Sequence, residues 1–173
     1  MAKAKTPGPS EVITLPLEQV RWQLARIWFI GAAAVFALLI IQSLAGVYEQ
    51  RVQGVWSWAL PNFLPTLSLM IGVFAASALK LEVETDTMIV RRPFARLAIG
   101  LSAFHLFAVV ATLLAHPFTA TFFRRPDGTV DMMAVFDLSG FFLGPLQGVV
   151  AGVIGVLFFT SKEGDKRKPE SPT

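Results

Sequence analysis

An all-α membrane protein, built as a compact bundle of four transmembrane helices with short loops, is the fold class that this sequence predicts. Three observations lead there. Of the 173 residues, 54% are hydrophobic and only 16% are charged, too apolar for an ordinary soluble domain of this length. Four apolar runs approach or exceed the ~20 residues that a hydrocarbon core requires. Threaded through a bilayer, those runs leave twelve of the fifteen basic residues on one side. Too little chain remains for a separate soluble domain.

The chain opens on a polar segment, residues 1–13, rich in proline and small residues and expected to be a disordered cytoplasmic tail. It does not read as a cleavable signal, because the first apolar run is long, begins late and lacks a small-residue cleavage pattern. Thr14-Leu15-Pro16 reads as a helix start, since proline is tolerated in the first turn. Residues 17–26 then lead along the membrane surface as an amphipathic segment into the first span, residues 27–48. Trp22, Trp28, Trp56 and Trp58 all fall close to expected interfaces, where indole rings prefer to sit.

The second span, residues 56–79, is chemically unusual. Pro61 and Pro65 lie four residues apart, with Asn62 and Thr66 on nearly the same helical face. Each proline frees a carbonyl one turn earlier, which hydroxyls, water or neighbouring helices must answer inside a membrane. Two readings fit. One is an ordinary kinked helix whose Asn62 bonds back into the bundle; the other is a broken helix lining a polar path, as in transporters. The connection after Lys80 alternates apolar and acidic residues from Leu81 to Asp86, a weak strand signal.

In the third span, residues 97–115, His105 sits near the middle, with Ser102 one turn away and Thr112 two turns on. An ionisable group at that depth is a candidate for proton relay or gating. The plainer reading is a neutral imidazole bonded to a serine or a carbonyl, as buried polar groups generally are. His116 lies too far along a helix to share a metal ion with it, and no metal site is indicated. The following outer loop places Pro126-Asp127-Gly128 between β-prone flanks, the pattern of a small hairpin.

The fourth span, residues 133–160, carries the most information. Gly140, Gly144, Gly148 and Gly152 recur every fourth residue, drifting about 40° per step and keeping to one face. With Gly140 at zero, Gln147 falls at about −20°, and Asp137 and Gly155 at about +60°. Pro145 removes one backbone donor and is expected to bend the helix. Membrane helices associate by close backbone approach, which small residues permit. The glycine strip is therefore a packing seam, either with a neighbour in the same chain or between identical protomers round a symmetric axis. Asp137, Gln147, Asn62, Thr66 and His105 together form the candidate polar path.

Orientation follows from the loops. The segments before the first span, between the second and third, and after the fourth each carry four lysines or arginines, against Arg51, Arg124 and Arg125 opposite. Positive loops stay inside, so both termini are expected in the cytoplasm, with the chain in a bacterial inner (plasma) membrane. Residues 161–173 read as a second disordered tail.

No enzyme chemistry is legible: there is no phosphate-binding glycine loop, HExxH or GxSxG motif, and no pair of intramembrane carboxylates. Ser102 and His105, three residues apart on one helix, are expected to bond locally. The absence of cysteine excludes disulfides, thiolate metal sites and a thiol nucleophile. No cofactor is expected. The spread of basic residues follows the positive-inside pattern, which argues against a nucleic-acid partner. Two classes of function remain. One is a pore, channel or membrane-perturbing component that oligomerises through the glycine helix, its partners being lipid and copies of itself. The other is a non-catalytic anchor or sensor subunit for a cytoplasmic or membrane partner.

Overall fold

The computed structural model describes residues 14–79, 89–118 and 133–159. Their order is β1 (Thr14–Pro16), α1 (Leu17–Leu44), α2 (Val52–Ala59), α3 (Leu64–Leu79), β2 (Ile89–Arg91), α4 (Arg92–Ala115) and α5 (Ala134–Phe159). Single 3₁₀ turns at Glu49–Arg51, Leu60–Asn62 and His116–Phe118 begin or end the helices. Helices α1, α4 and α5 are long and apolar enough to cross a membrane. The pair Val52–Asn62 and Leu64–Leu79 meets the same test jointly, bent by 47°, so among the described residues three segments are long and apolar enough to cross a membrane, or four with that pair counted as one.

The strand and helix boundaries depart from the expectation in instructive ways. Residues 14–16 do not start a helix: they form an antiparallel ladder with β2, pairing Thr14 with Arg91, Leu15 with Val90 and Pro16 with Ile89. Both strands are edges, so the donor that Pro16 lacks is not missed. Each strand then runs straight into a long helix. Consequently α1 starts at Leu17 and α4 at Arg92, earlier than the apolar runs alone suggested, and residues 17–26 belong to one continuous helix with the first span. At its other end α1 stops with Gly46 in the left-handed region at φ 72°, its N–H donating to the Ser43 carbonyl. The hairpin expected around Pro126 and the strand signal at Leu81–Asp86 both lie outside the described residues.

Contacts at the two ends fix how the helices run. At the strand end, the Arg21 guanidinium of α1 donates to the carbonyls of Leu157 (2.8 Å) and Phe158 (3.0 Å), the last turn of α5. Those carbonyls have no intrahelical donor and carry the negative end of the helix dipole, so a cation is the natural partner. Phe74 of α3 packs edge-on against Phe158 and at a 31° tilt against Trp22 of α1. At the far end His116 stacks on Phe136, Tyr48 meets both rings edge-on, and Trp58 packs on Phe136. Thus α1 and α4 run one way, and α3 and α5 the other.

Small residues contribute to the buried faces of α1 and α4. Ala25 and Ala32 on α1 and Ala95, Ala98 and Ser102 on α4 are all buried. At Gly31 an added Cβ would stand 2.7 Å from Leu106 Cδ1, so only glycine leaves that side chain its place. The outside of the helices is as apolar as the inside: Ile30, Ile41, Phe104, Phe107 and Phe141 are all exposed, Phe141 to 81%. Water would not tolerate so much exposed apolar surface without association, whereas lipid does.

Candidate functional site

Two features stand out: a polar cluster buried halfway along the helices, and a glycine strip on the outside. The cluster begins at the helix break. Pro61 sits in the 3₁₀ turn and Pro65 in the first turn of α3, both places where a missing N–H is tolerated. Phe63 between them leaves helical geometry at φ −121°, ending one helix and starting the next. The Asn62 side chain turns back, its Nδ2 donating to the Trp58 carbonyl at 2.8 Å, which answers one of the orphan carbonyls at the end of α2. The Asn62 carbonyl itself lies outside α3 and is met by His105 Nε2 of α4 at 3.2 Å. A carbonyl can only accept, so this bond requires the tautomer with hydrogen on Nε2.

One turn beyond Asn62, the Thr66 hydroxyl accepts from Gln147 Nε2 of α5 at 2.8 Å. Trp28 of α1 closes the other side, its indole stacked on His105 with centroids 5.6 Å apart and edge-on to Phe63. Trp28, His105 and Gln147 each lie within about one turn of the middle of their own helices. Trp28, Thr66, Ser102 and His105 are fully buried, and Asn62 and Gln147 nearly so. No carboxylate, lysine or arginine is among the buried polar residues described.

Four of the five residues of the candidate polar path, Asn62, Thr66, His105 and Gln147, are therefore brought together inside the protomer. Asp137 is not. It lies exposed in the first turn of α5, on the glycine side, away from Gln147. The buried stripe of α5 is Phe136, Ser139, Leu143, Gln147, Val150, Ile154 and Leu157, and the glycines run along its flank. A Cβ built at Gly140, Gly144, Gly148 or Gly152 meets nothing within 4 Å among the described residues, and at Gly155 only Leu69 Cδ1 at 3.9 Å. Among the described residues, no other helix of the protomer packs against Gly140, Gly144, Gly148 or Gly152. Helix α5 continues unbroken through Pro145.

Three roles were not legible in advance. Trp28, expected at an interface, is a core residue with 0% exposure. Ser102, expected to bond locally, has an Oγ with no hydrogen-bond partner among the described residues. Arg21, read only as an orienting charge, caps α5. Counting outward from the start of α1 at Leu17 would have placed Trp28 level with His105; counting from Ile27 hid it. Searches among known protein families, curated proteins and solved structures find no match for this chain.

Proposed function

We propose that this is a four-span integral membrane protein of a bacterial inner (plasma) membrane, a compact bundle in which the bent pair α2–α3 forms the second span. Protomers associate through Gly140, Gly144, Gly148, Gly152 and Gly155 of α5, and the assembly works as a channel-type or membrane-perturbing component. The observation that supports this reading is the openness of the strip: a run of backbone faces outward along one helix, with no described residue within 4 Å of a Cβ added at Gly140, Gly144, Gly148 or Gly152. Lipid chains pack poorly into such a strip, whereas a second helix fits it closely. Asp137 stands exposed at the start of the same helix, at an angle of about +60° that falls within the strip. Round a symmetric axis it becomes a ring of carboxylates at one mouth of the assembly, which favours cations.

Planar-bilayer recordings of purified protein test the reading. Wild type is expected to conduct with cation preference, and Asp137→Asn to shift the reversal potential toward non-selectivity while the oligomer persists. Gln147→Leu is expected to leave selectivity unchanged, because that amide faces Thr66 inside the protomer. A silent wild type across lipid compositions favours the second reading, a non-catalytic anchor or sensor subunit whose strip receives a partner's helix. The protomer-internal bonding of Asn62, Thr66 and Gln147 suits that reading, since it leaves Asp137 as the polar side chain on the strip.

Topology is tested separately. Reporter fusions or protease accessibility should find both termini and residues 81–95 in the cytoplasm and residues 116–132 outside, as the basic residues require. An external C-terminus overturns this arrangement, because it requires an odd number of spans or an inverted charge rule.

A further inference from the structure

The buried cluster is over-supplied with polar atoms. Trp28 Nε1, Ser102 Oγ, His105 Nδ1 and Gln147 Oε1 are all buried, and none has a hydrogen-bond partner among the described residues. They are not scattered. Trp28 stacks on His105, Ser102 lies one turn before His105 on the same buried face of α4, and His105 holds the Asn62 carbonyl at the helix break. Gln147 reaches the same break through Thr66, one turn past Asn62.

Their chemistry is complementary. With hydrogen on Nε2, the neutral imidazole presents Nδ1 as an acceptor. Gln147 has committed its amide nitrogen to Thr66, so its carbonyl oxygen is an acceptor as well. The indole N–H is a donor only, and the serine hydroxyl serves as either. A set of donors and acceptors with no formal charge, with no carboxylate, lysine or arginine among the buried residues described, suits a neutral molecule that both donates and accepts. Each orphaned group left dry destabilises the fold, and together they would be exceptional in a native core. Helix breaks in membrane proteins are commonly answered by ordered water.

We infer that the break between α2 and α3 houses an internal hydration site, in which water molecules bridge Trp28 Nε1, Ser102 Oγ, His105 Nδ1 and Gln147 Oε1 at the centre of the protomer. The site is independent of self-association, since every group in it belongs to one chain. It places water at hydrocarbon depth inside the protomer, apart from the face through which protomers are proposed to meet.

Water-edited solid-state NMR on proteoliposomes, with tryptophan labelled at the indole nitrogen, reads this directly. Trp28→Phe assigns the Trp28 signal. Magnetisation from water is expected to reach the Trp28 N–H at short mixing times despite its complete burial. The thermal midpoint of Ser102→Ala gives a second test with a definite sign. Removing a dry, unpartnered hydroxyl raises or preserves the midpoint, whereas removing a water ligand lowers it, by about 2–4 °C for a chain of this size. Transfer to Trp28 together with a lowered Ser102→Ala midpoint supports the site. Absence of transfer overturns it, and so does a Ser102→Ala midpoint at or above that of wild type.

Discussion

Replacing Gly148 by leucine is expected to disperse the oligomer while leaving the protomer folded. A Cβ at this position meets nothing within 4 Å among the described residues, so the added side chain projects outward from α5 without disturbing the core. Between two copies the same side chain separates backbones that must come close, and the close packing that drives membrane helices together is lost. An increase of about tenfold or more in the dissociation constant corresponds to only ~1.4 kcal/mol, well within what a lost seam entails. Mass measurement in detergent and cross-linking in native membranes read the assembly, and thermal denaturation reads the protomer. Gly31→Leu supplies the contrast. There the first added atom stands 2.7 Å from Leu106 Cδ1, so the expected loss is of protomer stability. If Gly148→Leu keeps the native mass, the self-association seam is wrong. If it unfolds the protomer as Gly31→Leu does, the outward placement of the strip is wrong.

How much of this was legible in the residues depends on what kind of information each feature needs. The apolar helices, the break near Pro61 and Pro65 and the polarity of the ends are local properties, written in hydropathy and in proline chemistry. The glycine strip was legible as one face of a helix, but the direction in which that face points was not. A helical wheel gives angles within one helix and says nothing about which flank meets a neighbour. Gln147, at about −20°, lies on the border between the strip and the buried stripe, and only packing decided that it turns toward Thr66. The ladder of residues 14–16 with residues 89–91 joins segments far apart in the chain, each three residues long and without periodicity. Trp28 misled for a physical reason. Arg26 just before it marks a membrane boundary by charge, while the helix itself had started at Leu17.

His105→Leu is expected to destabilise the protomer by about 2–4 kcal/mol, the second large effect. The imidazole has two structural duties: its Nε2–H answers the Asn62 carbonyl at the break, and its ring supports the Trp28 indole. Leucine fills much of the volume but offers no donor. A buried carbonyl left unanswered loses about 1–3 kcal/mol, and the lost stack on a fully buried tryptophan adds a packing term. Glutamine at the same position keeps a donor of similar reach, so His105→Gln should recover part of the loss, and His105→Phe should recover the stack alone. The order of thermal or denaturant midpoints, wild type above both partial variants and His105→Leu lowest, tests whether the two duties add. Equal midpoints for wild type and His105→Leu would mean that the Asn62 carbonyl has another donor, and the break would then be held by α2 and α3 themselves and not by α4.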